Sequence, residues 1–363
     1  MIKHCYIHIP FCKEICTYCD FCKLYYNKKW VTTYLNALEQ EITSTYQNDI
    51  LDTIYIGGGT PSSLSLKELE RLFEILKPLK KSPTCEITIE VNPDVTKEQL
   101  DLLKKSGVNR LSLGLESTHP WILKKMNRSL DKEKVKETIR YAKEIGVSNI
   151  NIDLMYAFPN ETLEEVREDI AFIKELEVPH ISTYSLILEE HTKLYIDKEE
   201  PISEEKDYEM YQEIIKSLKD FNHYEISNFS KEGYESKHNL CYWQNKKYYG
   251  FGLGAAGYIG NVRYQNTRSI TNYLQGKYHL EEEVLTTYDI IEYEIILNLR
   301  TKEGISKTNF KEKYDIELMD CYNYKKLVKE NLLIEEEDKL YIPEQYWYTS
   351  NEILVYLLEE CLL

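Results

Sequence analysis

Tyr6-Ile7-His8-Ile9-Pro10-Phe11-Cys12-Lys13-Glu14-Ile15-Cys16-Thr17-Tyr18-Cys19-Asp20-Phe21-Cys22 decides how the remainder of the chain is read. The apolar alternation from Tyr6 to Ile9 predicts a first strand. Directly behind it, Cys12, Cys16 and Cys19 form a C-x3-C-x2-C array. Three thiolates on one loop suit three irons of a [4Fe–4S] cluster, one short of the four that close an electron-transfer cluster. The remaining iron is then open to the amino and carboxylate groups of S-adenosylmethionine, and an electron from the cluster breaks a carbon–sulfur bond to give a 5′-deoxyadenosyl radical. A structural zinc knot is the competing reading. It wants four ligands, usually as two C-x2-C pairs, and the chain has no second pair. Cys22, three residues after Cys19, is either a fourth ligand or a spare thiol.

Length and charge bound the rest. The 363 residues predict one large domain with an appendage. Lys and Arg number 45 against 61 Asp and Glu, a formal charge of −16, so no global basic field recruits nucleic acid or anionic lipid. Nine cysteines and no leader-like run predict a reducing, cytoplasmic setting. No apolar run approaches the roughly 18 residues of a membrane span.

Strand-length apolar stretches alternate with helix-period stretches through the first two-thirds. Thr53–Ile56, Glu86–Val91, Arg110–Leu113, Ile150–Leu154 and His180–Leu186 read as strands following the first. Trp30–Thr43, Leu66–Leu79, Thr96–Ser106, Lys132–Ile145 and Thr162–Leu176 carry apolar residues at three- and four-residue spacing. Repeated β-α units predict an α/β fold with a parallel sheet, and six units predict a partial (β/α)6 barrel. In such a fold, function gathers at the C-terminal ends of the strands.

Those ends carry the informative residues. Gly57-Gly58-Gly59-Thr60-Pro61 follows the second strand, where glycines let backbone approach a ligand, although a triple glycine alone is only a turn. Glu90, Glu116 and Asp153 end the third, fourth and fifth strands. One carboxylate at a strand end reads as a cap or ion-pair partner. Three around one mouth shift the balance toward binding.

With YIHIPFC, GGGTP, RLSLG, NIDLMY and HYEISNF in hand, the chain resembles radical S-adenosylmethionine proteins of the family that contains oxygen-independent coproporphyrinogen III dehydrogenase and the heme chaperones. The resemblance spans nearly the whole chain. It implies that Cys12, Cys16 and Cys19 hold the cluster and that Tyr6 and Tyr18 flank it. It also implies that Gly58, Gly59 and Thr60 lie along the methionine part of the cofactor, with Glu90, Glu116, Arg128 and Asp153 on its amino, ribose or carboxylate groups. Glu116 departs from the family's Gln, Met126-Asn127-Arg128 from Leu-Gly-Arg, and Ala157-Phe-Pro-Asn160 from Gly-Leu-Pro-Gly.

Farther on, Tyr208–Phe221 reads as a helix and Tyr224–Phe229 as a strand. His238-Asn239-Leu240-Cys241-Tyr242-Trp243 resembles the heme-binding signature of the chaperone branch, with imidazole as axial ligand and the aromatics against the porphyrin. By itself, a histidine among aromatics is a packed core residue, and Cys241 is a competing soft donor. Gly250–Tyr258 resembles the family's G-x-G-A-H-S-Y, with Ala256 in place of His. In the tail, Tyr288–Leu299, Lys307–Tyr314 and Tyr322–Glu330 read as helices, and Leu332–Ile334 with Leu340–Ile342 as a hairpin, together a winged-helix-like module. Glu335-Glu336-Glu337-Asp338 on that wing argues against phosphate contact. The expected divisions are a core barrel over 1–235, a connecting segment over 236–287 and a terminal module over 288–363. The resemblance implies a heme chaperone with a cluster, S-adenosylmethionine and heme. Its partners would be an electron donor and a heme-acceptor protein such as a membrane-bound respiratory enzyme. The alternative is the dehydrogenase, oxidatively decarboxylating propionates. Phe21 separates them, because the dehydrogenase branch continues C-x2-C-x-C and here that position is Phe.

Overall fold

Strands buried on both faces need near-continuous apolar sequence, and helices between them need caps that stop one element and start the next. The chain supplies both. The computed structural model describes residues 1–362. Strand β1 (His4–Ile9) is followed by α1 (Lys28–Thr45), β2 (Leu51–Gly58), α2 (Leu66–Leu76), β3 (Lys81–Val91), α3 (Lys97–Lys105) and β4 (Arg110–Glu116). Then come α4 (Pro120–Lys125), α5 (Lys132–Glu144), β5 (Asn149–Tyr156), α6 (Leu163–Glu175) and β6 (His180–Ser185). Capping boxes Ser65/Glu68, Thr96/Gln99 and Thr162/Glu165 open α2, α3 and α6, each satisfying otherwise orphaned amides. Strands β1 to β6 are parallel neighbours in chain order, so all of their C-terminal ends lie on one side. The expected α/β parallel sheet with six β-α units is what forms.

Beyond β1 the sheet continues with β7 (Tyr248–Phe251), parallel to β1, then β8 (Ala256–Ile259), antiparallel to β7, and β9 (Val262–Asn266), antiparallel to β8. The sequence reading missed this seventh parallel strand. It is short and runs straight into a glycine-rich turn, which hides its period. Buried Glu41 on α1 fastens that turn, accepting from Gly252 N at 2.8 Å, Asn266 Nδ2 at 2.6 Å and the Tyr273 hydroxyl at 2.5 Å.

The chain packs as two compact units, each discontinuous in sequence: Met1–Leu218 with Lys247–Glu283, and Lys219–Lys246 with residues from Val284 onward. The segment 236–287 is thus shared between them. The second unit has helices Thr287–Asn298, Lys307–Tyr314, Lys325–Lys329 and Ser350–Glu359. Its three-stranded sheet runs in the order Ile305–Ser306, Lys339–Tyr341, Ile334–Glu336. This is the expected winged-helix-like arrangement, around a core of Ile295, Leu299, Leu340 and Ile342. The helix expected from Tyr322 starts at Lys325, because Tyr322 leaves the helical path to bridge Cys361. The single strand expected over 224–229 is a hairpin of Asn222–Glu225 and Asn228–Ser230. Its turn is closed by the buried Glu225 carboxylate, which accepts from the Ser227 amide at 3.1 Å and from Asn228 Nδ2. The wing's acidic run is also occupied: Glu335 takes Lys307 and Lys325, and Asp338 caps the helix at Thr308.

Candidate functional site

Strand β1 delivers the cysteine loop to the C-terminal side of the sheet. One flank of the loop is stitched to the glycine turn after β2: Gly59 N donates to Ile9 O and Thr60 N to Phe11 O, both at 2.9 Å. The other flank is tied to the segment after α4. Thr17 N donates to Met126 O at 3.1 Å, its hydroxyl to Lys125 O at 2.6 Å, and Asn127 Nδ2 to Ile15 O at 3.0 Å. A loop held on both sides keeps its thiols in a fixed array.

All nine cysteines are free. Burial pushes the Cys12 thiol up to about 11 and the Cys19 thiol up as well, and the charge of Cys16 adds to both. Cys12 receives the Thr60 hydroxyl and Cys16 an Arg128 N–H, each at 3.6 Å. Cys22 belongs to other surroundings. Its carbonyl meets His8 Nε2 at 2.7 Å, and its thiol, raised by burial, is countered by Arg268. A Cβ on Gly59 would stand 2.8 Å from Cys12 Sγ, so only glycine lets the turn lie against the thiol. Among the described residues, no three His, Cys, Asp or Glu close on one point as ligands of a single metal ion do. A cuboidal cluster asks for a different arrangement, since each thiolate binds its own iron.

The expected carboxylates do converge. Glu90 on β3 accepts from Gly58 N at 2.9 Å and from the Tyr55 hydroxyl at 3.0 Å. A Cβ on Gly57 would strike its Oε1 at 2.6 Å, so this glycine leaves room for the carboxylate. Asp153 on β5 accepts from Asn151 Nδ2 at 2.8 Å and from Ser112 Oγ at 3.3 Å. Glu116 ends β4 at φ 68°, with Ser117 N bonded back to Leu115 O at 2.9 Å; this strained tight turn aims its side chain. Arg128 joins the carboxylates to the cysteines: it reaches Glu116 at 3.7 Å, Gly114 O at 2.5 Å and the Cys16 thiol. Tyr18 donates to Glu116, and the Tyr6 hydroxyl bonds His8 Nδ1 at 2.9 Å, its ring tilted on Tyr55 at 6.1 Å.

Electrostatics then indicate what this arrangement suits. Burial, with Asp153 adding to it, lifts Glu90 to about 8. Burial lifts Glu116 to about 7 against the opposing Arg128, and burial raises Asp153 too. Three carboxyls disfavour one another's charge, and only Arg128 at Glu116 and Arg110 at Asp153 oppose that. The Glu116 and Arg128 side chains lie deep yet keep 12% and 14% of their surface accessible, as cavity-lining groups do. A ligand bearing positive charge would relieve that repulsion. The sulfonium and ammonium of S-adenosylmethionine fit this donor set, and the three thiols fit a cluster beside it.

The heme motif lies on the short helix Lys237–Trp243 of the second unit. His238 is 1% exposed there, with Nε2 on the Tyr242 hydroxyl at 2.8 Å and the two rings edge to face at 5.0 Å. Cys241 is buried, and Asn239, Tyr242 and Trp243 are half-buried. As folded, His238 is the packed, bonded histidine of the competing reading. Sequence reasoning also missed Tyr55, Ser112 and Asn151, which hold the carboxylates. The available signal was placement: Asn151 stands two residues before Asp153 on one strand face, and Ser112 pairs with Asn151 across the neighbouring strand.

The model of the radical SAM superfamily matches residues 6–173, and that of the HemN C-terminal domain matches residues 285–347. A protein of Lactococcus lactis named heme chaperone HemW is 38% identical over 96% of this chain and 95% of its own length. One of the same name from Bacillus subtilis is 39% identical over 97% and 98%. The solved structure of coproporphyrinogen III oxidase (HemN) from Escherichia coli shares the fold, with a TM-score of 0.85 over 98% of this chain and 89% of that chain at 23% identity. No helix among the described residues is long and apolar enough to cross a membrane. The chain belongs to the radical SAM superfamily and, within it, to the HemW family.

Proposed function

We propose that this protein is a cytoplasmic heme chaperone: it binds heme and passes it to an acceptor protein, a membrane-bound respiratory enzyme being the kind we expect, and it carries a [4Fe–4S] cluster with exchangeable S-adenosylmethionine. The observation that carries the cofactor part is the pairing of a three-thiol loop with a half-buried triad of carboxyls, joined through Arg128. Cys12, Cys16 and Cys19 would hold the cluster. Tyr6, Tyr18, Gly58, Gly59, Thr60, Glu90, Glu116, Arg128 and Asp153 would surround the adenosylmethionine. When bound and reduced by an external electron donor, the pair supplies a carbon-centred radical. The chain's own residues position it. The two-sided clamp fixes the loop, Gly58 N and the Tyr55 hydroxyl orient Glu90, and Asn151 with Ser112 orients Asp153.

The heme part is supported by the names of the relatives and by the His238-Asn239-Leu240-Cys241-Tyr242-Trp243 motif. His238 would ligate the heme iron once its bond to Tyr242 opens, with Tyr242 and Trp243 offering rings to the porphyrin. The test is anaerobic reconstitution with iron and sulfide, then hemin on one aliquot and coproporphyrinogen III with adenosylmethionine and dithionite on another. Stoichiometric hemin binding, with a Soret band altered in His238→Ala and no porphyrinogen turnover, is the expected result. Formation of protoporphyrinogen would overturn the chaperone reading. An unchanged Soret band in the variant would remove His238 as the ligand.

A further inference from the structure

We propose that the Thr60 hydroxyl and the Arg128 guanidinium set the reduction potential of the [4Fe–4S] cluster by donating hydrogen bonds to two of its ligand thiolates, Cys12 and Cys16. This rests on the reading of Cys12, Cys16 and Cys19 as cluster ligands, and it gives two residues expected along the adenosylmethionine a second task. Thr60 Oγ1 stands 3.6 Å from Cys12 Sγ, and Arg128 Nη1 stands 3.6 Å from Cys16 Sγ. Both are bonding distances for a large sulfur acceptor.

Neither donor is free to drift. The Thr60 amide is bonded to Phe11 O at 2.9 Å, one residue from Cys12, so donor and acceptor move as one body. Arg128 is held by Gly114 O at 2.5 Å and by Glu116 at 3.7 Å. The third thiol has surroundings of its own: the Phe21 amide favours ionised Cys19, and the Lys23 ammonium sits on the Cys19 carbonyl. The donors therefore differ in kind, a neutral hydroxyl at Cys12 and a cationic fork at Cys16.

The physical consequence has a definite sign. The couple is [4Fe–4S]2+/1+: one electron enters from a low-potential one-electron donor, which is oxidised, and no bond of the chain forms or breaks. The added negative charge spreads onto the sulfurs, so a hydrogen bond to a thiolate stabilises the reduced form more than the oxidised one and raises the potential. Partial burial strengthens the effect. Removing a donor must lower the potential.

The experiment is an anaerobic potentiometric titration with dithionite, followed by the electron paramagnetic resonance signal of the reduced cluster, with iron and sulfide counted on the same samples. Thr60→Val, nearly isosteric and without the hydroxyl, is expected to shift the midpoint down. Thr60→Ser, which keeps the hydroxyl, is expected to return it to the wild-type value. Arg128→Met is expected to shift it down further, since a charge is lost with the bond, and serves as the second variant should Thr60→Val load poorly. Fully loaded Thr60→Val and Arg128→Met with wild-type midpoints would overturn the proposal and leave the ligand reading intact. A wild-type protein that takes up no iron when reconstituted would overturn both.

Discussion

At Gly59 one methyl group decides whether the site can form. A Cβ there would stand 2.8 Å from Cys12 Sγ and 2.8 Å from the Pro10 carbonyl, and the backbone partner cannot yield. Gly59→Ala is therefore expected to lose most of its iron on reconstitution while keeping its helical circular dichroism. Glu90 gives a second prediction at this scale. Its ordinary value of 4.5 rises to about 8 in the fold, so between those values the folded protein holds a proton that the unfolded chain releases. Stability of the cluster-free protein from this group is complete below about 4.5 and is lost as pH rises toward 8. The thermal midpoint should fall over that window, and Glu90→Gln should flatten the fall; a wild-type slope in the variant would count against it. At Tyr242, removal of the hydroxyl costs His238 one bond worth about 1 kcal/mol, so Tyr242→Phe should bind hemin roughly fivefold tighter if His238 is the ligand. The cysteines stand out in the sequence by their spacing, and Glu90, Glu116 and Asp153 by falling at the ends of strand-length stretches. Tyr55 does not, because a polar residue inside a strand looks alike whether it faces a pocket or a neighbour.

Among the elements, the segment after α4 shows how a short loop governs the cysteine array. Asn127 adopts φ 56° and donates to Ile15 O at 3.0 Å, so its side chain and its backbone both serve the clamp. Asn127→Ala is expected to lower the free energy of unfolding by about 1–3 kcal/mol, from the lost bond and the left-handed conformation together; denaturant unfolding measures it. An unchanged midpoint would mean that the clamp does not contribute. The helices were legible because Ser65, Thr96 and Thr162 mark their starts with Glu or Gln three residues on. Helix α4 was not, since six residues show no period. The hairpin over 222–230 was taken for one strand because its turn, Ile226-Ser227, carries no Gly or Pro and depends on a buried Glu225 that only the fold supplies.

At the scale of the whole molecule, parallel strands in chain order bring residues from Cys12 to Asp153 to one end of a sheet, and this could be foreseen from β-α alternation alone. The division into two discontinuous units could not, since no composition shift marks residues 218 or 247. Three cysteines, and not four, are expected to hold the cluster and leave one iron open. Cys22 is set apart by its carbonyl bond to His8 and by Arg268 against its thiol. The direct measurement is iron and sulfide content, with the resonance spectrum of the reduced cluster before and after adenosylmethionine, in Cys12→Ala, Cys16→Ala, Cys19→Ala and Cys22→Ala. The first three variants are expected to lose the cluster, and Cys22→Ala to keep it with a spectrum that still shifts on adding adenosylmethionine. Loss of the cluster in Cys22→Ala as well would contradict it.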